Sequence, residues 1–352
     1  MTDKIRVLVV GMGNMGVSHA KAYHHLDGFK IVGLCSRNLT AQTELPAELA
    51  DYPRFDNYAR ALSVLKPDAV SINTWPDSHA DYACQAFKAG AHVFLEKPLA
   101  ETVTEAEQVL AAARRTQRKL VIGYILRHHP SWLKLVELAH TLGKPLVMRM
   151  NLNQQSSGSA WQVHKHLMQS LSPIVDCGVH YLDMMCLMTR ARPLKVHAIG
   201  ARLSAETEQF NYGQLQVQFE DGSVGWYEAG WGPMMSETAF FVKDVIGPKG
   251  CVSIVMKEGA GSADIDTHTK TNRILLHHAD LDQNGQFSRA DEIMDMRDEP
   301  DHNELCLREQ QFFLQAIQQD LDLEDHMNDA LNSLRIVLAA DQSVRSGEIV
   351  QL

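Results

Sequence analysis

Through about residue 125 the chain alternates short apolar runs with stretches of helical periodicity. Ile5-Arg6-Val7-Leu8-Val9-Val10 has the near-continuous apolar character of a strand covered on both faces. Ile31-Val32-Gly33-Leu34-Cys35, Ala69-Val70-Ser71-Ile72-Asn73, His92-Val93-Phe94-Leu95 and Leu120-Val121-Ile122-Gly123-Tyr124 continue the series. Between them, residues 78–89 and 104–115 carry helical spacing. This strand–helix–strand alternation predicts a parallel sheet with helices on both faces.

The texture then changes. Residues 146–154, 194–202, 211–220 and 223–230 read as strands of an antiparallel or mixed sheet, and Asp221-Gly222 is a hairpin signal between the last two. One helix is expected at 173–188, and two more at 303–319 and 325–345. Residues 256–300 are polar, with Gly259-Ala260-Gly261-Ser262 inside, and read as loops around a short strand at Ile274-Leu275-Leu276-His277. A chain of 352 residues is too long for one ordinary hydrophobic core. The expected division is an α/β domain over 1–125 and an α+β domain over 126–352.

The glycine pattern gives the first domain its chemistry. Gly11-Met12-Gly13-Asn14-Met15-Gly16 follows the first strand and opens a helix near Met15, the context in which G-x-G-x-x-G marks a Rossmann phosphate loop. Gly11 permits the turn, Gly13 lets backbone approach a pyrophosphate, and Gly16 allows close packing of helix on strand. The helix N-terminus then offers free N–H groups and the positive end of its dipole. An acid usually follows about 20 residues on, for the ribose hydroxyls. This chain reads Ser36-Arg37-Asn38 there. Ser36 suits a ribose hydroxyl, whereas Arg37 either stacks on adenine or holds a 2′-phosphate. Taken alone, these residues lean towards NADP.

Two further segments carry candidate catalytic groups. Glu96-Lys97-Pro98 follows the fourth of these apolar runs, and ligands of open parallel sheets bind beyond the carboxyl ends of strands. Asp176 and His180 stand four apart in a helix with Ser172 as N-cap and Pro173 in its first turn, so they share one face. A carboxylate beside an imidazole either positions a proton-transfer group or forms a surface ion pair.

Charge and composition exclude some classes. The formal net charge is −10 with no basic stripe, which argues against nucleic acid and anionic membrane as partners. No run of about 18 apolar residues suggests a membrane span. Met1-Thr2-Asp3-Lys4-Ile5 leads straight into a strand pattern with no signal-peptide texture. Cys35, Cys84, Cys177, Cys186, Cys251 and Cys306 form no C-x-x-C pair and read as free thiols of a reducing, cytoplasmic compartment. His164 and His166 lack a convincing set of further ligands, so no metal is predicted.

Together these motifs resemble the glucose–fructose oxidoreductase / inositol dehydrogenase / rhizopine-catabolism (Gfo/Idh/MocA) family. The resemblance rests on the glycine loop, Thr74 with Pro76 and His79, Glu96-Lys97-Pro98, and Asp176-x-Gly178-x-His180-x-x-Asp183. It implies Lys97, Asp176 and His180 as the catalytic trio and a second domain built on an open, mostly antiparallel sheet. It also implies a homo-oligomer, with a tetramer favoured. Where the family often has T-P-N, this chain reads Thr74-Trp75-Pro76-Asp77. A softer likeness is to the scyllo-inositol dehydrogenase branch, some of whose members also oxidise L-glucose. It is carried by Tyr124-Ile125-Leu126-Arg127-His128-His129-Pro130, Met150-Asn151-Leu152-Asn153-Gln154-Gln155 and Gly230-Trp231-Gly232-Pro233, and it tips the expected cofactor to NAD, with NADP as the alternative.

The expected cofactor contacts are therefore Gly11, Gly13, Asn14, Met15, Gly16, Ser36, Arg37, Thr74, Trp75, His79, Glu96 and Lys97. The expected substrate contacts are Lys97, Arg127, Asn153, Gln155, Trp161, Asp176, His180 and His302. Amides such as Asn153 and Gln155 suit neutral polyols, since they both donate and accept hydrogen bonds. The expected reaction is oxidation of a secondary hydroxyl of a cyclitol or sugar, scyllo-inositol first and myo-inositol or L-glucose next. An NAD-dependent glycosidase and a non-catalytic sugar sensor are the alternatives.

Overall fold

A computed structural model describes residues 4–39, 42–236, 241–256, 271–296 and 298–352. Two compact units emerge: 1–125 with 302–331, and 126–301 with 332–352. The expected second-domain range of 126–352 thus gives up residues 302–331. The first helix after the 302 boundary packs on the first helix of the chain.

The N-terminal unit holds β1 (Ile5–Val10), α1 (Asn14–His25), β2 (Phe29–Cys35), β3 (Arg54–Phe55), α2 (Tyr58–Leu65) and β4 (Ala69–Ile72). It continues through α3 (His79–Lys88), β5 (His92–Leu95), α4 (Val103–Thr116) and β6 (Leu120–Ile122). The strands are parallel in the order β3-β2-β1-β4-β5-β6. This is the doubly wound Rossmann order, whose ligand crevice lies outside the strand carboxyl ends at the switch between β1 and β4. Val7 to Val10 are almost wholly buried, which explains the unbroken apolar run of β1. α4 starts at a capping box: the Thr102 hydroxyl accepts from Glu105 N–H, and the Glu105 carboxylate takes Thr102 N–H. The pattern missed β3 and α2, both short.

The second unit contains α5 (Pro130–Ala139), β7 (Val147–Gln155), α6 (Gly158–Leu167), α7 (Pro173–Thr189), β8 (Pro193–Ala201), β9 (Tyr212–Phe219) and β10 (Val224–Gly232). Next come β11 (Lys243–Gly247), β12 (Gly250–Met256), β13 (Thr271–His278) and β14 (Glu292–Asp295). The chain ends with α8 (His302–Gln318), α9 (Glu324–Ser346) and β15 (Val350–Gln351), of which α8 and the first turns of α9 belong to the N-terminal unit. Among the described residues the second sheet runs β14-β13-β12-β11-β7-β10-β9-β8-β15, antiparallel except where β10 pairs with β7. Gly222 at φ +84° makes the predicted β9–β10 turn.

Three expectations for this half change. Helices α5 and α6 join the one predicted. The strand expected at 274–277 is the eight-residue β13, paired on both sides. The polar stretch also holds β14, an edge strand that reads as loop because its residues are largely exposed. Gly259-Ala260-Gly261-Ser262 lies outside the described residues. All six cysteines are free. Among the described residues no helix is long and apolar enough to cross a membrane.

A polar cluster is sealed inside the N-terminal unit. His19 of α1 donates from Nε2 to Glu96 Oε1 at 2.7 Å and accepts at Nδ1 from Gln310 of α8 at 2.9 Å. Beside it Glu309 is 1% exposed. Burial, with the Glu96 charge adding, raises the Glu309 pKa far above the carboxylate range. A buried acid held protonated stabilises the fold at low pH, and that stability is lost as pH rises from the unfolded value of about 4.3. Glu309→Gln removes the titration. Its thermal midpoint should therefore gain on the wild type progressively between pH 5 and 9 while matching it near pH 4. A difference independent of pH would contradict the assignment.

Candidate active site

The phosphate loop is shaped by contacts that only glycine permits. Gly11 sits at φ +86°, and a Cβ there would fall 2.4 Å from the Asn73 carbonyl oxygen at the end of β4. A Cβ on Gly16 would lie 1.6 Å from Gly11 O. Gly13 is different: nothing lies within 4 Å of its would-be Cβ, so its backbone faces open space. α1 begins there with no side-chain cap and no acid in its first turn. Free N–H groups, a positive dipole end and no competing carboxylate suit a pyrophosphate. The residues present thus fit a dinucleotide, with Asn14 and Met15 in the first turn beside it.

The other expected cofactor residues surround this edge of the sheet. Ser36 is fixed after β2 by its N–H to Phe55 O, and its own carbonyl accepts from Leu39 N–H. Arg37 is exposed and its guanidinium has no partner among the described residues. Thr74 follows β4, and its hydroxyl accepts from Ser78. Trp75 is 44% exposed, a large ring open to solvent. His79 is fully buried between the carbonyls of Pro98 at 2.7 Å and Thr74 at 3.1 Å, and burial pushes its pKa down. Neutral imidazole has one N–H, and the shorter bond takes it. His79 therefore donates from Nδ1 to the Pro98 carbonyl, which fixes its ring beside the Glu96-Lys97-Pro98 turn.

Glu96 is likewise a positioning residue. Its second oxygen accepts the backbone N–H of Lys97 at 3.1 Å. Burial alone would raise its pKa, but the hydrogen bond from His19 and the Lys97 charge outweigh it and hold the carboxylate ionised. Within 93–100, Lys97 is the one residue that reaches the surface, and the Lys97–Pro98 peptide is cis. His302 opens α8, with Nε2 3.6 Å from the Cys306 sulfur.

In the second unit α7 holds the expected catalytic residues Asp176 and His180. Ser172 caps it, accepting from Val175 N–H at 3.2 Å and donating to Asp341 at 2.6 Å. Fourteen of its seventeen residues are buried, and the exceptions are Asp176, His180 and Leu187. A helix this deeply covered has no solvated face, so an Asp–His pair at the surface opening is not an ordinary surface ion pair. Gly178 lets the helix approach its neighbours: a Cβ there would lie 3.1 Å from Tyr227 of β10 and Val337 of α9.

Strand alternation sorts the amides of β7. Gln154 faces α7, and its Oε1 accepts from Trp231 Nε1 at 2.7 Å and from the Cys177 thiol at 3.2 Å. Asn153 and Gln155 therefore point to the opposite face. Asn153 donates to Glu228 at 2.5 Å, and Gln155 is exposed at the strand end. Period-two counting from Met148 and Met150 places Gln154, and not Asn153 or Gln155, on the α7 face. Arg127 is held by Asp183 of α7 through two 2.7 Å hydrogen bonds, and Asp183 is fully buried. Trp161 is buried with its indole N–H 3.4 Å from Glu206. His164, three residues on, stacks flat on Trp231 with ring centroids 4.5 Å apart.

The fold and these groups define an oxidoreductase with a dinucleotide-binding Rossmann unit. Residues 5–124 match the oxidoreductase family GFO/IDH/MocA, NAD-binding Rossmann fold, and residues 134–252 match the GFO/IDH/MocA C-terminal domain. Together the matches cover well over half of the sequence, and the chain belongs to this family. It is 28% identical over 222 residues to the UDP-N-acetylglucosamine 3-dehydrogenase of Acidithiobacillus ferrooxidans, covering 62% of this chain and 65% of that protein. It is 31% identical over 153 residues to the inositol 2-dehydrogenase/D-chiro-inositol 3-dehydrogenase of Halalkalibacterium halodurans, covering 41% and 43%. The chain thus spans less than two thirds of the length of these relatives. Its fold is shared with the scyllo-inositol dehydrogenase of Lactobacillus casei, solved with NAD(H) and scyllo-inositol, at a TM-score of 0.75, 20% identity and 99% coverage of both chains.

Two substitutions separate architecture from ligand contact. Gly13→Ala fills empty space in the protein, so its melting temperature should stay near wild type while NAD binding weakens about tenfold or more, roughly 1.4 kcal/mol. Normal affinity measured by calorimetry would show that the dinucleotide does not use this backbone. Asp183→Asn removes the carboxylate that holds the Arg127 guanidinium and should cost about 3 kcal/mol or more in denaturant unfolding. A loss below about 1 kcal/mol would mean the pair is dispensable.

Proposed function

We propose that this protein is an NAD-dependent dehydrogenase that oxidises a secondary ring hydroxyl of a cyclitol or sugar to a ketone. The reading takes scyllo-inositol first and myo-inositol or L-glucose next. The observation that carries it is α7, buried along its length except where Asp176, His180 and Leu187 reach the surface. His180 takes the hydroxyl proton as general base, and Asp176 orients it. Lys97 holds the oxygen and stabilises its developing negative charge. When bound, the nicotinamide supplies the two-electron redox chemistry. The neutral amide of Gln154, beside Cys177, suits a neutral polyol better than an acid or a phosphate.

Arg37, exposed and without a partner among the described residues, stacks on the adenine in this reading and holds no 2′-phosphate. The proposal includes a homo-oligomer, a tetramer by family likeness. It is supported by the face of the second sheet away from α7, where Val147, Val224 and Ile349 are exposed around Arg149 and Lys195.

A panel of cyclitols and sugars, followed at 340 nm with NAD and NADP, tests the reading. Oxidation of at least one polyol is expected, with higher kcat/KM for NAD. Lys97→Ala and His180→Ala should each lower kcat about 100-fold or more while cofactor binding is largely kept. Arg37→Ala should weaken both cofactors alike and leave NAD ahead. Near-normal turnover in either folded catalytic variant, or a wild-type preference for NADP, would contradict the corresponding assignment. Release of reducing sugar from a glycoside with no net NADH would replace the dehydrogenase by a glycosidase.

A further inference from the structure

His164 of α6 has no place in the chemistry so far, yet its surroundings are those of a built contact. Its ring lies parallel to that of Trp231, 10° between planes, and Trp231 is itself fully buried. Its Nδ1 is 2.9 Å from the hydroxyl of Ser156, which is 2% exposed. The stack and the hydrogen bond together fix both the plane and the rotation of the imidazole. Trp231 in turn donates to Gln154, which also takes the Cys177 thiol, and Cys177 adjoins Asp176. His164 therefore belongs to the same connected wall as the exposed stripe of α7.

The remaining atom is Nε2. It has no hydrogen-bond partner among the described residues, and it is not one of the polar atoms sealed from solvent. Burial pushes the His164 pKa down to about 4, against the opposing pull of the Asp176 charge. The ring is thus neutral near pH 7. Nε2 then offers whichever role, donor or acceptor, the Ser156 bond leaves to it. A neutral ring with a fixed plane and one open nitrogen discriminates a hydroxyl from a missing or inverted one, because only a correctly placed hydroxyl completes the bond.

We propose that His164 is a specificity-determining residue of the polyol site, binding through Nε2 a ring hydroxyl other than the one oxidised. The proposal rests on the dehydrogenase reading above.

The test compares wild type and His164→Phe on the best polyol substrate and on its set of monodeoxy analogues, with NAD. Phenylalanine keeps the flat stack on Trp231 and removes both nitrogens. In wild type each missing hydroxyl should carry its own penalty in kcat/KM. In His164→Phe, kcat/KM for the full polyol should fall about five- to tenfold, mainly through KM, and the penalty for one analogue should vanish while the others persist. Ser156→Ala, which leaves the ring in place but frees its rotation, should give a weaker version of the same loss at the same hydroxyl; it also serves if His164→Phe folds poorly. Unchanged penalties for every analogue in a variant with normal melting temperature and NAD affinity would overturn the proposal and leave the dehydrogenase reading intact. A wild-type enzyme that oxidises no polyol would overturn the reading itself, and this inference with it.

Discussion

Close approach of α7 to its sheet is the constraint on which the second unit depends. A seventeen-residue helix normally keeps a solvated stripe, and its polar residues gather there. Here Gly178 removes the bulk that would hold Tyr227 and Val337 away, and the surrounding strands and α9 cover nearly everything else. The uncovered positions then become few and specific. Asp176 and His180, one turn apart, share the opening, while Asp183 of the same helix is buried and occupied with Arg127. One helix thereby supplies an accessible proton-transfer pair and a fixed guanidinium anchor.

The N-terminal unit solves a related problem with backbone. Gly11, Asn73 and Gly16 meet at distances that no side chain permits, which fixes the loop between β1 and α1. Gly13 alone is left open towards solvent. Lys97 is prepared in the same spirit: Glu96 accepts its amide, His19 donates to Glu96, Gln310 donates to His19, and His79 donates to the Pro98 carbonyl. These buried groups set where the one emerging lysine stands.

Much of this was legible in the residues. The parallel sheet follows from apolar runs separated by helical spacing, and the Ser172-Pro173 start of α7 is written in its capping chemistry. Less legible were features that depend on partners distant in sequence. Gln154 and Asn153 are both amides, and only strand parity, together with the knowledge of which face α7 covers, separates them. Glu309 sits in a helix that reads as amphipathic, with nothing local to say that its carboxyl is sealed beside Glu96. The α6 segment is short and polar around Trp161, so its helix, and with it the placing of His164, emerges only from the fold. The edge strand β14 was hidden because a short, exposed strand at a sheet edge carries little periodic signal.

The central claim is that the polyol binds on the α7 face of the second sheet, against the Asp176–His180 stripe. A crystal structure of the protein with NAD and a turned-over polyol tests it most directly. The account predicts ring density beside Gln154, with one hydroxyl within hydrogen-bond distance of His180. Density on the opposite face, at Asn153 and Glu228, would contradict it.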